Sequence, residues 1–122
     1  MSTEDTNNEQ SGPQDGIVRN SMRAEGVIYV MNGAKGFGDI LFQGEIAWQP
    51  SAGMRFAVLP EIELKAVIDE VSFRLNPSRK IDVWFMARCN LCESDLGPDP
   101  TAEDLKWAEE ELRREWGDKY TI

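Results

Sequence analysis

The stretch EGVIYVMNGAKGFGDI, residues 25–40, decides how the rest of the chain is read. Its first part, residues 26–31, is a β-branched and aromatic run that stops at Asn32-Gly33, the pattern of a strand entering a turn. Lys35-Gly36-Phe37-Gly38 then sets glycines on both sides of one aromatic ring. Such a segment suits a phosphate cradle, a plain turn, or a surface on which a base stacks. A phosphate loop needs a Gly-Lys-Ser/Thr ending and a helix directly after it. Here Asp39–Trp48 follows, apolar and strand-like, so the phosphate reading fails. The glycines allow a tight corner and are expected to leave Phe37 standing clear of its neighbours.

Working outward, Asp39–Trp48 reads as one or two short strands broken at Gly44, and Met54–Leu59 as another strand stopped by Pro60. Residues 61–70 carry two periodicities. Leu64, Val67, Ile68 and Val71 follow helical spacing, whereas Ile62, Leu64, Ala66 and Ile68 alternate as in a strand; a short helix or irregular crossover is the expectation. Val71, Phe73 and Leu75, then Ile81, Val83, Phe85 and Ala87, alternate on either side of Asn76–Arg79, which is a β-hairpin with one buried face. Thr101 with Asp104 forms a capping box ahead of a helix that Gly117 closes. Leu105, Ala108, Leu112 and Trp116 make its apolar stripe, Glu109–Arg113 and Glu110–Arg114 are i,i+4 pairs, and Trp107 lies about 200° away from Leu105. An indole there needs a second surface to cover it.

Residues 25–40 resemble the first two strands of the cold-shock domain, with Gly26, Asn32, Lys35, Gly36, Phe37, Gly38 and Ile40 matching at that family's spacing. Glu45–Ala52 and Asp69–Phe73 resemble its third strand and the start of its fourth, so the likeness covers residues 25 to about 90. It implies a mainly β fold, a small five-stranded antiparallel barrel of the OB type, here followed by a C-terminal α-helix. The domain order is then a disordered acidic and polar tail (1–24), a cold-shock-like barrel (25–92), and an acidic linker with the helix (93–122).

Cold-shock domains bind single strands by stacking bases on aromatics of the first three strands. Most of that platform is replaced. Val30 stands where the family has its stacking Trp, Met31 where it has the next Phe, and Asp39 where it has the second aromatic of the Lys-Gly-Phe-Gly-Phe motif. Ala47, Gln49 and Pro50 replace the third-strand aromatics and His, while Phe37 is kept and Trp48 falls at a core-facing position. Stacking contributes ~1–3 kcal/mol per base, so these losses and the added carboxylate predict weak single-strand binding.

Charge points the same way. The chain carries 22 acids against 13 bases, a formal −9, and has no histidine. Residues 93–122 hold ten acids against four bases. Affinity for nucleic acid draws on neutralised phosphates, so the balance favours a protein partner. It also leaves room for a third reading, in which the acidic end mimics nucleic acid. Lys35, Arg55, Arg74, Arg79, Lys80 and Arg88 either gather into a basic strip or remain scattered, solvated charges. Cys89-Asn-Leu-Cys92 has the spacing of half a zinc site, but a structural zinc wants four ligands and no second pair exists. No metal, cofactor or small-molecule substrate is expected, and with no histidine no Ser–His or Cys–His pair is available, so the chain is read as not an enzyme. No apolar run reaches the ~18 residues of a membrane span, no secretory signal opens the sequence, and the expected location is intracellular, cytoplasmic or nuclear. The residues expected to contact a protein partner, or alternatively single-stranded RNA or DNA, are Tyr29, Met31, Lys35, Phe37, Asp39 and Trp107.

Overall fold

A computed structural model describes residues 22–75 and 81–122; the expected N-terminal tail up to Ser21 and the Asn76–Arg79 turn lie outside the described residues. Among the described residues, six strands and one long helix follow in the order β1 (Met22–Asn32), β2 (Lys35–Ile46), β3 (Arg55–Leu59), β4 (Leu64–Leu75), β5 (Ile81–Asn90), α1 (Ala102–Trp116) and β6 (Tyr120–Thr121). They form one sheet of order β3-β4-β5-β1-β2-β6, curled into a half-barrel. The mainly β, barrel-like architecture with a C-terminal helix is as the sequence led one to expect.

The expected five antiparallel strands are corrected to six strands in a mixed sheet. β1 pairs antiparallel with β2 but parallel with β5, Gly26 standing opposite Phe85 and Ile28 opposite Ala87. The sixth strand is two residues long, with Tyr120 opposite Ile40 and Thr121 opposite Asp39. It is too short to carry an alternation that sequence patterning detects. β1 also starts earlier than expected: Met22–Ala24 belong to it, and Ala24 is buried with Ile46 and Val83.

Over residues 64–70 the expected helix or crossover is strand, and only a single turn precedes it. Pro60–Ile62 form a single 3-10 turn, Glu63 takes a left-handed conformation (φ 53°), and β4 begins at Leu64. Leu64, Ala66 and Ile68 face the core in strict alternation. The register against β5 then slips between Ile68 and Glu70. That bulge moves the next core-directed residue from position 70 to Val71, and the resulting 68-to-71 step imitates helical spacing. β2 likewise runs through Gly44 without a break.

The core lies on the concave side of the sheet. Ile28, Val30, Ile40, Leu64, Ala66, Ile68, Phe85 and Ala87 meet Ala108 and Leu112 of α1 there. A chain of aromatic rings, Phe42 to Phe85 (5.8 Å) to Phe56 (6.2 Å), spans the interior from β2 to β3. Trp48, expected to face the core, sits in the loop after β2, 39% exposed with its ring 6.4 Å from Phe56. The capping box forms as expected, with Thr101 and Asp104 exchanging two hydrogen bonds of 3.0 Å. Glu109 pairs with Arg113, whereas Arg114 pairs with Glu111 rather than with Glu110. Glu111 is almost buried, and an ion there is held by a partner that reaches it.

The glycine-rich motif is explained by what packs on it. A Cβ on Gly38 would lie 2.4 Å from the Tyr120 hydroxyl and 2.6 Å from its ring, while one on Gly36 would meet nothing within 4 Å. We therefore expect Gly38→Ala to destabilise the fold by about 1–3 kcal/mol through overpacking, and Gly36→Ala to change it little; equal effects in denaturant titration would contradict this assignment.

Burial also sets the response to alkali. The Cys89 thiol is pushed up to about 12 by desolvation. The Tyr120 phenol is pushed up to about 12 by burial first, with Glu109 adding to the shift. Both groups keep their protons in the folded state after the unfolded chain has lost them, near 9 and 10. Stability is thus whole below pH ~9 and falls as pH rises towards ~12, by up to ~1.4 kcal/mol per pH unit for each group. Cys89→Ser and Tyr120→Phe should each flatten that slope, and an unchanged slope in both variants would show that other groups control it.

Candidate contact surface

Alternation along β1, β2 and β5 sends one set of side chains into the core and the other set outward, to the convex face. Register then assembles the outward set into rows. Asp39, Tyr29 and Arg88 form one row, Leu41, Val27 and Met86 the next, and Gln43, Glu25, Trp84 and Ser72 a third. α1 packs on the opposite side, and none of its buried residues reaches this face. Leu41 is 56% exposed and Trp84 37%. Val27 is 9% exposed yet belongs to neither core cluster, which places it beneath its neighbours in an outer apolar layer. Asp39, Glu25 and Glu70 edge the band, and Arg88 at its end is gripped by Asp69 at 2.7 and 3.3 Å, a hydrogen-bonded pair that raises its already high pKa.

Of the six residues singled out in the sequence, three share this face. Tyr29 stands directly opposite Asp39, and Met31 extends the same side of β1. Lys35 is exposed at the start of β2, opposite Asn32. Phe37 does not stand clear. It falls at a register shift, between Gly36 opposite Met31 and Gly38 opposite Val30, and packs against the main core. The extra residue of a bulge loses its place in the alternation, which is how a nominally outward position turns in.

Trp107 is also packed against the main core. The stripe expected on α1 is present, but Ala108 sits at the middle of a wider buried arc that includes Glu111 as well as Leu112. A helix seated in a concave sheet buries more than the ~100° of a flat contact, and the small Ala108 lets it approach closely. Trp116 donates its indole N–H to the Val58 carbonyl at 3.2 Å, tying the helix end to β3.

Cys89 and Cys92 are free thiols on different sides of the chain's path. Cys89 points into the core, and Cys92 lies 3.4 Å from the Asn32 side-chain oxygen. Between them, Asn90 holds the β1–β2 turn. Its Oδ1 accepts from the Gly33 N–H (2.9 Å) and the Cys92 N–H (3.0 Å), and its amide donates to the Gly33 carbonyl (3.1 Å). Gly33 has φ 66°, a left-handed backbone that suits glycine there. Among the described residues no group of three or more Cys, Asp or Glu is placed to hold a metal ion, and no helix is long and apolar enough to cross a membrane.

Comparison with protein-family models, with curated proteins and with solved structures finds no match to this chain.

The outer-face residues Leu41, Trp84, Met86 and Val27 did not stand out in the sequence. Their signal is the run of consecutive apolar residues, Ile40-Leu41-Phe42 and Val83-Trp84-Phe85-Met86, in strands whose alternate positions already supply a core. Such runs indicate a strand with apolar surface on both faces. Trp107, by contrast, is part of the scaffold. Trp107→Ala should lower stability by about 1–3 kcal/mol, less than the ~3–5 of a fully buried aromatic. An unchanged melting temperature would move Trp107 back to the surface.

Proposed function

We propose that this chain is a non-enzymatic interaction module, cold-shock-like in its β1–β2 hairpin, that works in a ribonucleoprotein or gene-regulatory assembly inside the cell. Its partner is a protein, and its contact surface is the outer face of β2, β1 and β5 with Tyr29, Met31 and Asp39. The sheet that carries this hairpin is mixed and six-stranded. The observation that supports the reading is the apolar band of Leu41, Val27, Met86, Trp84 and Tyr29, left uncovered by every described element and edged by Asp39, Glu25 and Glu70. Aromatic residues and Met are enriched where proteins meet proteins, and contiguous apolar patches on small domains mark such sites.

The same face is a poor platform for single strands. Asp39 lies in the row of Tyr29, and Glu25 in the row of Trp84, so a carboxylate stands beside each exposed ring. A stacked base would bring its phosphates towards those charges. Anisotropy titrations with mixed single-stranded RNA and DNA at physiological salt should therefore give dissociation constants weaker than ~1 μM.

Leu41→Ser tests the protein-binding reading. The side chain is more than half exposed, so stability should change by no more than about 0.5 kcal/mol. Partner capture by the full-length protein should fall about tenfold or more, the ~1.4 kcal/mol scale of a lost apolar anchor. Capture that survives Leu41→Ser, or sub-micromolar strand binding with a steep salt dependence, would replace this reading with direct nucleic acid binding.

A further inference from the structure

The outer face ends in a cavity of about 390 Å³, at the lower limit of volumes that enclose a ligand group. Arg23, Glu25, Ser72, Phe73, Asp82 and Trp84 line it. Two of these are large exposed apolar side chains, Phe73 at 54% and Trp84 at 37%. Asp82 Oδ1 is shielded from water and has no hydrogen-bond partner among the described residues. A buried carboxyl oxygen left unpaired costs free energy that a hydrogen-bond donor would offset. Glu25 stands beside Trp84 in the register of β1 and β5, a second carboxylate at the same ring. Arg23 is the lining's one described cation. It stands opposite Asp82 in register yet reaches only Glu25, at 3.9 Å, with 64% of its side chain exposed. It does not fill the gap at Asp82 Oδ1.

A group that satisfies all of these features is flat or compact, positively charged, rich in N–H donors and carried on an apolar stem. The indole face attracts a cation and the carboxylates accept its hydrogen bonds. We propose that this cavity takes the guanidinium or ammonium side chain of the protein partner, with the apolar band beside it taking the partner's neighbouring residues. The inference rests on the protein-binding reading of the outer face and adds the chemistry that the partner must present. Continuity supports that source of the cation, because Trp84 belongs both to the cavity and to the band.

The test uses the full-length protein and the capped peptide Val-Thr-Arg-Thr-Val, followed by the indole N–H signals of the four tryptophans in two-dimensional NMR. The Trp84 signal is assigned by its loss in Trp84→Phe. The proposal expects that signal to shift on addition of the peptide and to stay in place when citrulline replaces the arginine. Asp82→Asn should weaken binding at least tenfold. Glu25→Gln, a change on the surface strand that keeps the fold should Asp82→Asn not, should weaken it about threefold or more. Arg23→Ala should tighten it by removing a competing cation. Equal binding of the citrulline peptide, no shift at Trp84, or an affinity insensitive to both carboxylate variants would overturn the proposal. Arginine amide binding as tightly as the peptide would overturn the protein source of the cation. Sensitivity to Leu41→Ser without sensitivity to Asp82→Asn would leave the contact surface standing and remove the cation cavity; the opposite pattern would keep the cavity and remove the apolar band.

Discussion

Tyr120 packed closely against the backbone at Gly38 is the contact on which the arrangement depends. Only glycine leaves room for it, since any Cβ would stand 2.4 Å from the hydroxyl. With the ring seated, Tyr120–Thr121 run beside β2 as β6, and the guanidinium of Arg113 comes over the ring at 5.5 Å. α1 is thereby drawn down onto the concave face, where Ala108 and Leu112 complete the core and the Trp116 indole reaches β3. A second glycine repeats the device, because Phe85 fills the space above Gly26 where β1 and β5 run parallel. The two contacts let strands carry large rings without being pushed apart.

One consequence is the inequality of the two faces. The helix and β6 close the concave side, and nothing among the described residues closes the convex side. Apolar side chains remain there in three adjacent strands, although an antiparallel sheet usually turns polar residues to water. Leaving Leu41 and Trp84 in water has no benefit for folding, which is the ground for proposing that a partner covers this face. Its acidic edge and the chain's net −9 repel phosphate and suit a basic protein surface.

Much of this could be read from the residues. The capping box at Thr101, the stripe of α1, the β1–β2 turn at Asn32-Gly33 and the strands around residues 54–59 and 81–87 all appear where patterning places them. The departures have local causes. Two bulges shift the phase of alternation, one turning Phe37 towards the core and the other giving β4 its helical disguise. Pairing partners are a matter of tertiary structure, and no local signal distinguishes a parallel β1–β5 neighbour from an antiparallel one. Trp107 was legible as a residue needing a second surface, but the curvature of the sheet that supplies it was not. Asn90, between two cysteines that drew attention as ligands, gave no sequence signal of the three hydrogen bonds by which it holds the β1–β2 turn.

We propose that the convex face of the sheet meets a protein. Photo-crosslinking from a benzophenone side chain placed at Leu41, compared with one placed at Glu110 on the exposed side of α1, tests it directly in the native setting. Covalent protein adducts that persist after nuclease treatment are expected from position 41, and few or none from position 110. Adducts from position 110 alone, or adducts at position 41 that prove to be nucleic acid, would contradict it.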